Sequence, residues 1–151
     1  MDNMFKNINS LISVNMYSSK ECEITSLIST FDSCENLENI GINGFKTNEV
    51  KSTKNLFHKT KLYFIDLNWL NTSKVEDMSY MFAQSPIKSF ENINFDTSNV
   101  KDMSHMFEGC NLLEFIDVSN FNTNKVLNMS SMFKDCYSLK HLNVSLFNTN
   151  K

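Results

Sequence analysis

The sequence predicts a single α/β domain over residues 1–151, a solenoid of about five stacked 25–26 residue strand–helix coils with a parallel sheet. Three observations predict it. Val50, Val75, Val100 and Val126 recur every 25 or 26 residues, and Ile24 fits one step earlier. A Phe seven residues further on falls at Phe31, Phe57, Phe82, Phe107 and Phe133, and the column extrapolates back to Phe5. Between these markers lies a second, alternating apolar pattern. Two columns that keep one period along nearly the whole chain are the signature of a repeat array.

The helix of each unit is read from "TSNVKDMSHMF", residues 97–107. Val100, Met103, Met106 and Phe107 lie three, six and seven positions apart, the spacing of one helix face. The skeleton recurs at Val75, Met78, Met81 and Phe82, and at Val126, Met129, Met132 and Phe133. The Thr and Ser residues ahead of each run are natural N-caps, since their side-chain oxygens can accept from orphan amides. Ser73 and Glu76 have capping-box spacing.

The strand is read from "LKHLNVSLFN", with Leu139, Leu142, Val144 and Phe147 apolar. Leu113, Ile116, Val118 and Phe121 repeat it, as do Leu37, Ile40, Ile42 and Phe45. Alternation of this kind predicts a short strand with one face inward. Each unit is then a strand, an F-[DN]-T corner, a helix and a return through FxxC. The N-terminal repeat is partial, residues 1 to about 23, and the C-terminal end falls mid-repeat. About seven inward side chains per unit contribute roughly 10–20 kcal/mol. Ordering some 25 backbones at ~1–2 kcal/mol each costs more, so single units fold only by stacking.

Composition excludes several classes. The net charge is −3 and the chain has no Arg, which argues against a nucleic-acid reader needing a concentrated basic face. Abundant Lys and Asn without Arg reads as codon bias in an AT-rich genome. No apolar run approaches the ~18 residues needed to span a bilayer. The first 20 residues show no uninterrupted apolar stretch with a cleavage site, so no signal peptide is read there. Sequons at Asn71, Asn128 and Asn143 are expected by chance in so Asn-rich a chain.

The L-x-x-L-x-L segment at this period is similar to a leucine-rich repeat. More narrowly, F-[DN]-T-[SN]-x-V-x-x-M-S-x-M-F-x-x-C-x-x-L resembles the 26-residue repeats of the BspA-like bacterial surface-protein family, over residues from about 5 to 151. The resemblance implies a leucine-rich-repeat solenoid used for protein binding or adhesion at a cell surface. Two copies depart from the pattern: "FKTNEVKSTKNLF" puts Thr53 and Leu56 in place of the Met residues, and "AQSPIKSFENINF" is shortened and carries Pro86.

The residues that could carry chemistry read as structural. Cys34, Cys110 and Cys136 share a column with Thr60 and Ser85, a small buried site; Cys110 and Cys136 are close enough in this scheme for a disulfide to be conceivable. Cys22 stands apart. Six of the nine Met occupy the inward columns. His58, His105 and His141 do not converge. "DTSNVKDMSHMFE" lacks the central Gly of a calcium loop. No catalytic set can be assembled, and no cofactor or metal site is read. Lys46, Lys51, Lys54, His58, Lys59 and Lys61 form a basic stretch that reads as a solvated face.

Binding is expected where residues flank the inward strand positions: Asn39, Gly41 and Asn43; Phe64, Asp66 and Asn68; Phe115, Asp117 and Ser119; His141, Asn143 and Ser145. Exposed Phe64 and Phe115 flanked by polar groups suit a protein or glycan ligand. Ending mid-repeat at Lys151 suggests a fragment or self-association through that end. The expected function is a non-enzymatic binding module for adhesion or host interaction; the alternative is an intracellular scaffold or effector, with localisation left open.

Overall fold

The computed structural model describes residues 1–90 and 93–149. Among them there is no helix and there are two strands, β1 (Ser13–Glu23) and β2 (Asn39–Lys46), paired in a two-stranded parallel sheet. The expected α/β solenoid of strand–helix coils, and the leucine-rich-repeat solenoid implied by the resemblance, are therefore not the fold of this chain.

The reason the helices are missing lies in the backbone. Each Met-Ser-x-Met-Phe segment holds two left-handed residues four positions apart. One column is Asn3, Ser29, Asn55, Tyr80, His105 and Ser131, and the other is Asn7, Ser33, Lys59, Gln84, Gly109 and Asp135, all with φ between 51° and 71°. A left-handed residue costs roughly 1–2 kcal/mol for most side chains and breaks a right-handed helix. The segments become tandem turns instead.

The amides then divide by position. The N–H groups of Met81, Ala83 and Ser85 donate three residues back, to the carbonyls of Met78, Tyr80 and Phe82 (3.1–3.2 Å). Those of Met78, Tyr80, Phe82 and Gln84 donate forward to Asp102, Ser104, Met106 and Glu108 of the next repeat (2.7–3.0 Å). The same ladder joins Thr53, Asn55, Phe57 and Lys59 to the 77–83 segment, and Met103, His105, Phe107 and Gly109 to the 128–134 segment. A helix would have used every amide within itself.

The side chains still follow the columns. Val50, Val75, Val100, Met78, Met81, Met103 and Met106 are fully buried, and Val126 and Met132 nearly so. Phe5, Phe31, Phe57, Phe82, Phe107 and Phe133 form one row of stacked rings, with centroids 5.3–5.8 Å apart and planes within 19°. That spacing is a layer separation of ~4.8 Å plus the lateral offset that aromatic pairs prefer.

The expected strands form only at β2. At Leu62–Leu70, Leu113–Phe121 and Leu139–Phe147 the chain bends, because Asp66, Asp117 and Asn143 each accept through Oδ1 from the N–H two residues on (2.9–3.1 Å). A single bridge, Phe115 to His141, marks ladder geometry there. Ile116 and Val118 point inward as expected, but Leu142 and Val144 are exposed. β1 was not foreseen, since it lies in the stretch assigned to a partial repeat. It pairs Ser13–Tyr17 with Asn39–Asn43, and a bulge precedes the pairing of Cys22 with Phe45.

The expected N-caps have no helix to cap. Thr47 and Thr97 instead clasp neighbouring repeats: each hydroxyl accepts from the N–H of Asn71 or Asn122 (2.9 and 2.7 Å) and donates to the carbonyl of Trp69 or Asn122. Ser73 donates to Asn71, and Glu76 pairs with Lys101. In the shortened copy, Glu91 and Asn92 lie outside the described residues, as do Asn150 and Lys151 at the expected mid-repeat end.

Replacing exposed Gln84, at φ 58°, by Gly separates the two conformations. In a left-handed turn, Gln84→Gly is expected to leave stability unchanged or raise it by up to about 1 kcal/mol in urea unfolding; in a helix it would lower it by about 1 kcal/mol. Phe82→Ala is expected to cost about 3–5 kcal/mol in the same measurement.

Candidate binding face

Phe64 and Phe115 are the two aromatic side chains that the sequence singled out, and they stand 60% and 59% exposed. Their positions are fixed by backbone contacts between repeats. The N–H groups of Lys88, Glu114 and Lys140 donate to the carbonyls of Tyr63, Lys88 and Glu114 (3.0–3.3 Å). Phe64, Ser89, Phe115 and His141 therefore fall in line across successive repeats.

The remaining expected residues are brought together in part. Asn68, Phe115, Asp117 and Ser119 line one groove of about 630 Å³ together with Phe90. Phe64 and Asp66 line a smaller one of about 320 Å³ with Asn15 and Asn39. His141 and Asn143 line neither groove. Asp66, Asp117 and Asn143 have a structural task as turn formers, so their presence on the face is explained without a ligand. Hydrogen bonds from the Ser119 hydroxyl and amide hold the Asp117 carboxyl below the usual carboxylate range.

Sequence reading missed the contribution of β1 to this face, including Tyr17, which is 76% exposed. Its signal, alternating Val14 and Met16 at the register of Ile40 and Ile42, is short and interrupted by the bulge. It also missed Trp69, the one aromatic at a position held in other repeats by Gly44, Asn94, Asn120 and Leu146.

The other singled-out residues serve the fold. The thiols of Cys34, Cys110 and Cys136 donate to the carbonyls of Phe5, Phe82 and Phe107 in the preceding repeat (2.9–3.2 Å). Ser85 donates to Phe57 of the preceding repeat in the same way, whereas Thr60 donates to Phe57 of its own repeat. The column thus needs a small donor, and that explains its restriction to Cys, Thr and Ser. All four Cys are free, so Cys110 and Cys136 are not bridged. Burial raises both thiols, Cys136 to about 11, which keeps them protonated and unreactive at neutral pH.

In the basic stretch, His58 pairs with Asp32 (2.7 Å) and Lys61 with Glu38 (2.8 Å). Burial pushes the Asp32 carboxyl up, but hydrogen bonds from Lys6, His58 and Ser33 outweigh it and leave it below its ordinary value. His105 stacks on Tyr80 at 4.3 Å and bonds Glu108. Among the described residues no three His, Cys, Asp or Glu side chains are grouped to hold a metal ion, and no helix is long and apolar enough to cross a membrane.

The geometry defines a class: a repeat protein whose successive units are joined through backbone amides, with exposed Phe64 and Phe115 in line on one face. Its family is a particular one. The chain belongs to the family described as Mycoplasma protein of unknown function, DUF285, which it matches over residues 1–92 and again over 86–151. No curated protein and no solved structure matches the chain.

Because the folded carboxyl of Asp117 is held below its unfolded value, its contribution to stability is present above the unfolded value and is lost as pH falls through the folded one. Ser119→Ala is expected to move the Asp117 titration, followed by carboxyl-detected NMR, back up toward the ordinary range. An unchanged titration would show that the Ser119 hydroxyl does not hold the charge.

Proposed function

We propose that this chain is a non-enzymatic recognition module that binds a protein ligand through the face carrying Phe64 and Phe115, in cell-surface adhesion or host interaction. The observation that carries the reading is the exposure of these two rings in one line, each beside a groove. Large aromatics held in place by a rigid backbone bind at little entropic cost and dominate interface energies. The resemblance of the repeat signature to BspA-like surface proteins supports the surface setting.

One observation favours a second setting for the same module. All four Cys are free, and three thiols are used as hydrogen-bond donors, which suits an intracellular scaffold in a reducing compartment. Fractionation of the source cells distinguishes the two.

The test compares the wild-type chain with a Phe64→Ala/Phe115→Ala variant, each immobilised and exposed to detergent-solubilised surface proteins of candidate host cells. Captured proteins are expected to bind the variant at least tenfold more weakly, with thermal unfolding nearly unchanged because both rings are exposed. Equal capture by the two chains would overturn the reading.

A further inference from the structure

We propose that the groove beside Trp69 is a binding site for a short neutral oligosaccharide. The proposal rests on the reading of the chain as a recognition module, but it uses a neighbouring groove that contains neither Phe64 nor Phe115 and shares Asn68 and Asn94 with the groove beside Phe115.

Gly44, Trp69 and Asn94 occupy equivalent positions in three successive repeats. The large Trp69 ring beside the shorter Asn94 side chain borders a hollow. The resulting groove has a volume of about 480 Å³, and its lining includes Trp69, Thr47, Asn48, Asn68, Asn94 and Asp96. This volume lies within the ~300–1,000 Å³ typical of small-ligand sites. Gly44, at φ 77°, lies against the Ser18 backbone, where a Cβ would meet the carbonyl oxygen, and it is not part of the groove's lining.

The lining matches a sugar. Trp69 is partly buried, and its indole N–H donates to the carbonyl of Asp66 (3.1 Å), so the ring is oriented before any ligand arrives. An aromatic face accepts the C–H face of a pyranose, while the hydroxyls around that ring need both donors and acceptors. The carboxamides of Asn48, Asn68 and Asn94 each offer both, and none is used in the hydrogen bonding of the fold among the described residues. The carboxamide oxygen of Asn71, by contrast, is already occupied by Ser73. One carboxylate, Asp96, and one ammonium, Lys46, border the groove, and this balance favours a neutral ligand over a charged one.

Trp69 is the single tryptophan of the chain, so its fluorescence reports on this groove alone. The wild-type chain is titrated with cellobiose, with N,N′-diacetylchitobiose and with sialyllactose. At least one neutral disaccharide is expected to give a saturable emission change with a midpoint of about 1 mM or below. Asn68→Ala and Asn94→Ala are each expected to raise that midpoint about tenfold or more, with Asn48→Ala as the substitute should either not fold. Phe64→Ala/Phe115→Ala should leave it unchanged. No emission change with either neutral disaccharide, a response only to sialyllactose, or an equal response in the Asn variants would overturn the proposal. Protein capture through Phe64 and Phe115 alongside a silent Trp69 would overturn the groove alone.

Discussion

The structure depends on a division of the backbone amides. In each Met-Phe segment alternate N–H groups close tight turns within the repeat, and the others cross to carbonyls of the next repeat, as from Phe57 to Met81 and from Phe82 to Met106 at 2.9 Å. Each such bond is worth about 0.5–1.5 kcal/mol net, and leaving a buried amide unpaired would cost more. Four of them at each of the best-formed junctions offset the left-handed backbone that makes them available. The register they impose places each Phe over the next, so ring stacking and amide pairing reinforce one another.

Side-chain chemistry fits around that ladder. The Cys, Thr and Ser column supplies small donors to the carbonyls of the Phe column, and Thr47, Thr97 and Thr123 each clasp the following corner. Asp and Asn residues turn the chain two residues later, at Asp77, Asp102 and Asn128 as well as on the candidate face. Among the described residues no buried side-chain nitrogen or oxygen is left without a hydrogen-bond partner. Surface ion pairs such as Lys101 with Glu76 and Lys134 with Glu108 join neighbouring repeats but, being exposed, contribute little.

How much of this was legible follows from the same geometry. The period, the inward Val, Met and Phe columns and the small-donor column could be read directly, because burial depends on spacing. The conformation could not. A 3-6-7 spacing of apolar residues fits an amphipathic helix and also a run of turns, and only the two left-handed columns distinguish them. Those columns contain Asn3, Asn55 and Gly109, which favour such backbone, but also Tyr80, His105, Lys59 and Gln84, which conceal it. On the candidate face, the exposure of Phe64 and Phe115 was legible. The turn-forming task of Asp66 and Asp117 was not, since it reads as surface polarity until the chain is seen to bend there. Trp69 stood out only once its neighbours in adjacent repeats, Gly44 and Asn94, could be placed beside it.

The most direct measurement of the central claim is a through-hydrogen-bond scalar coupling experiment on isotope-labelled protein. It should show a correlation from the Phe82 amide nitrogen to the Met106 carbonyl carbon, and one from Phe57 to Met81. A correlation from Phe82 to the Met78 carbonyl instead, four residues back, would mean that the segment is a helix and that its amides do not join the repeats.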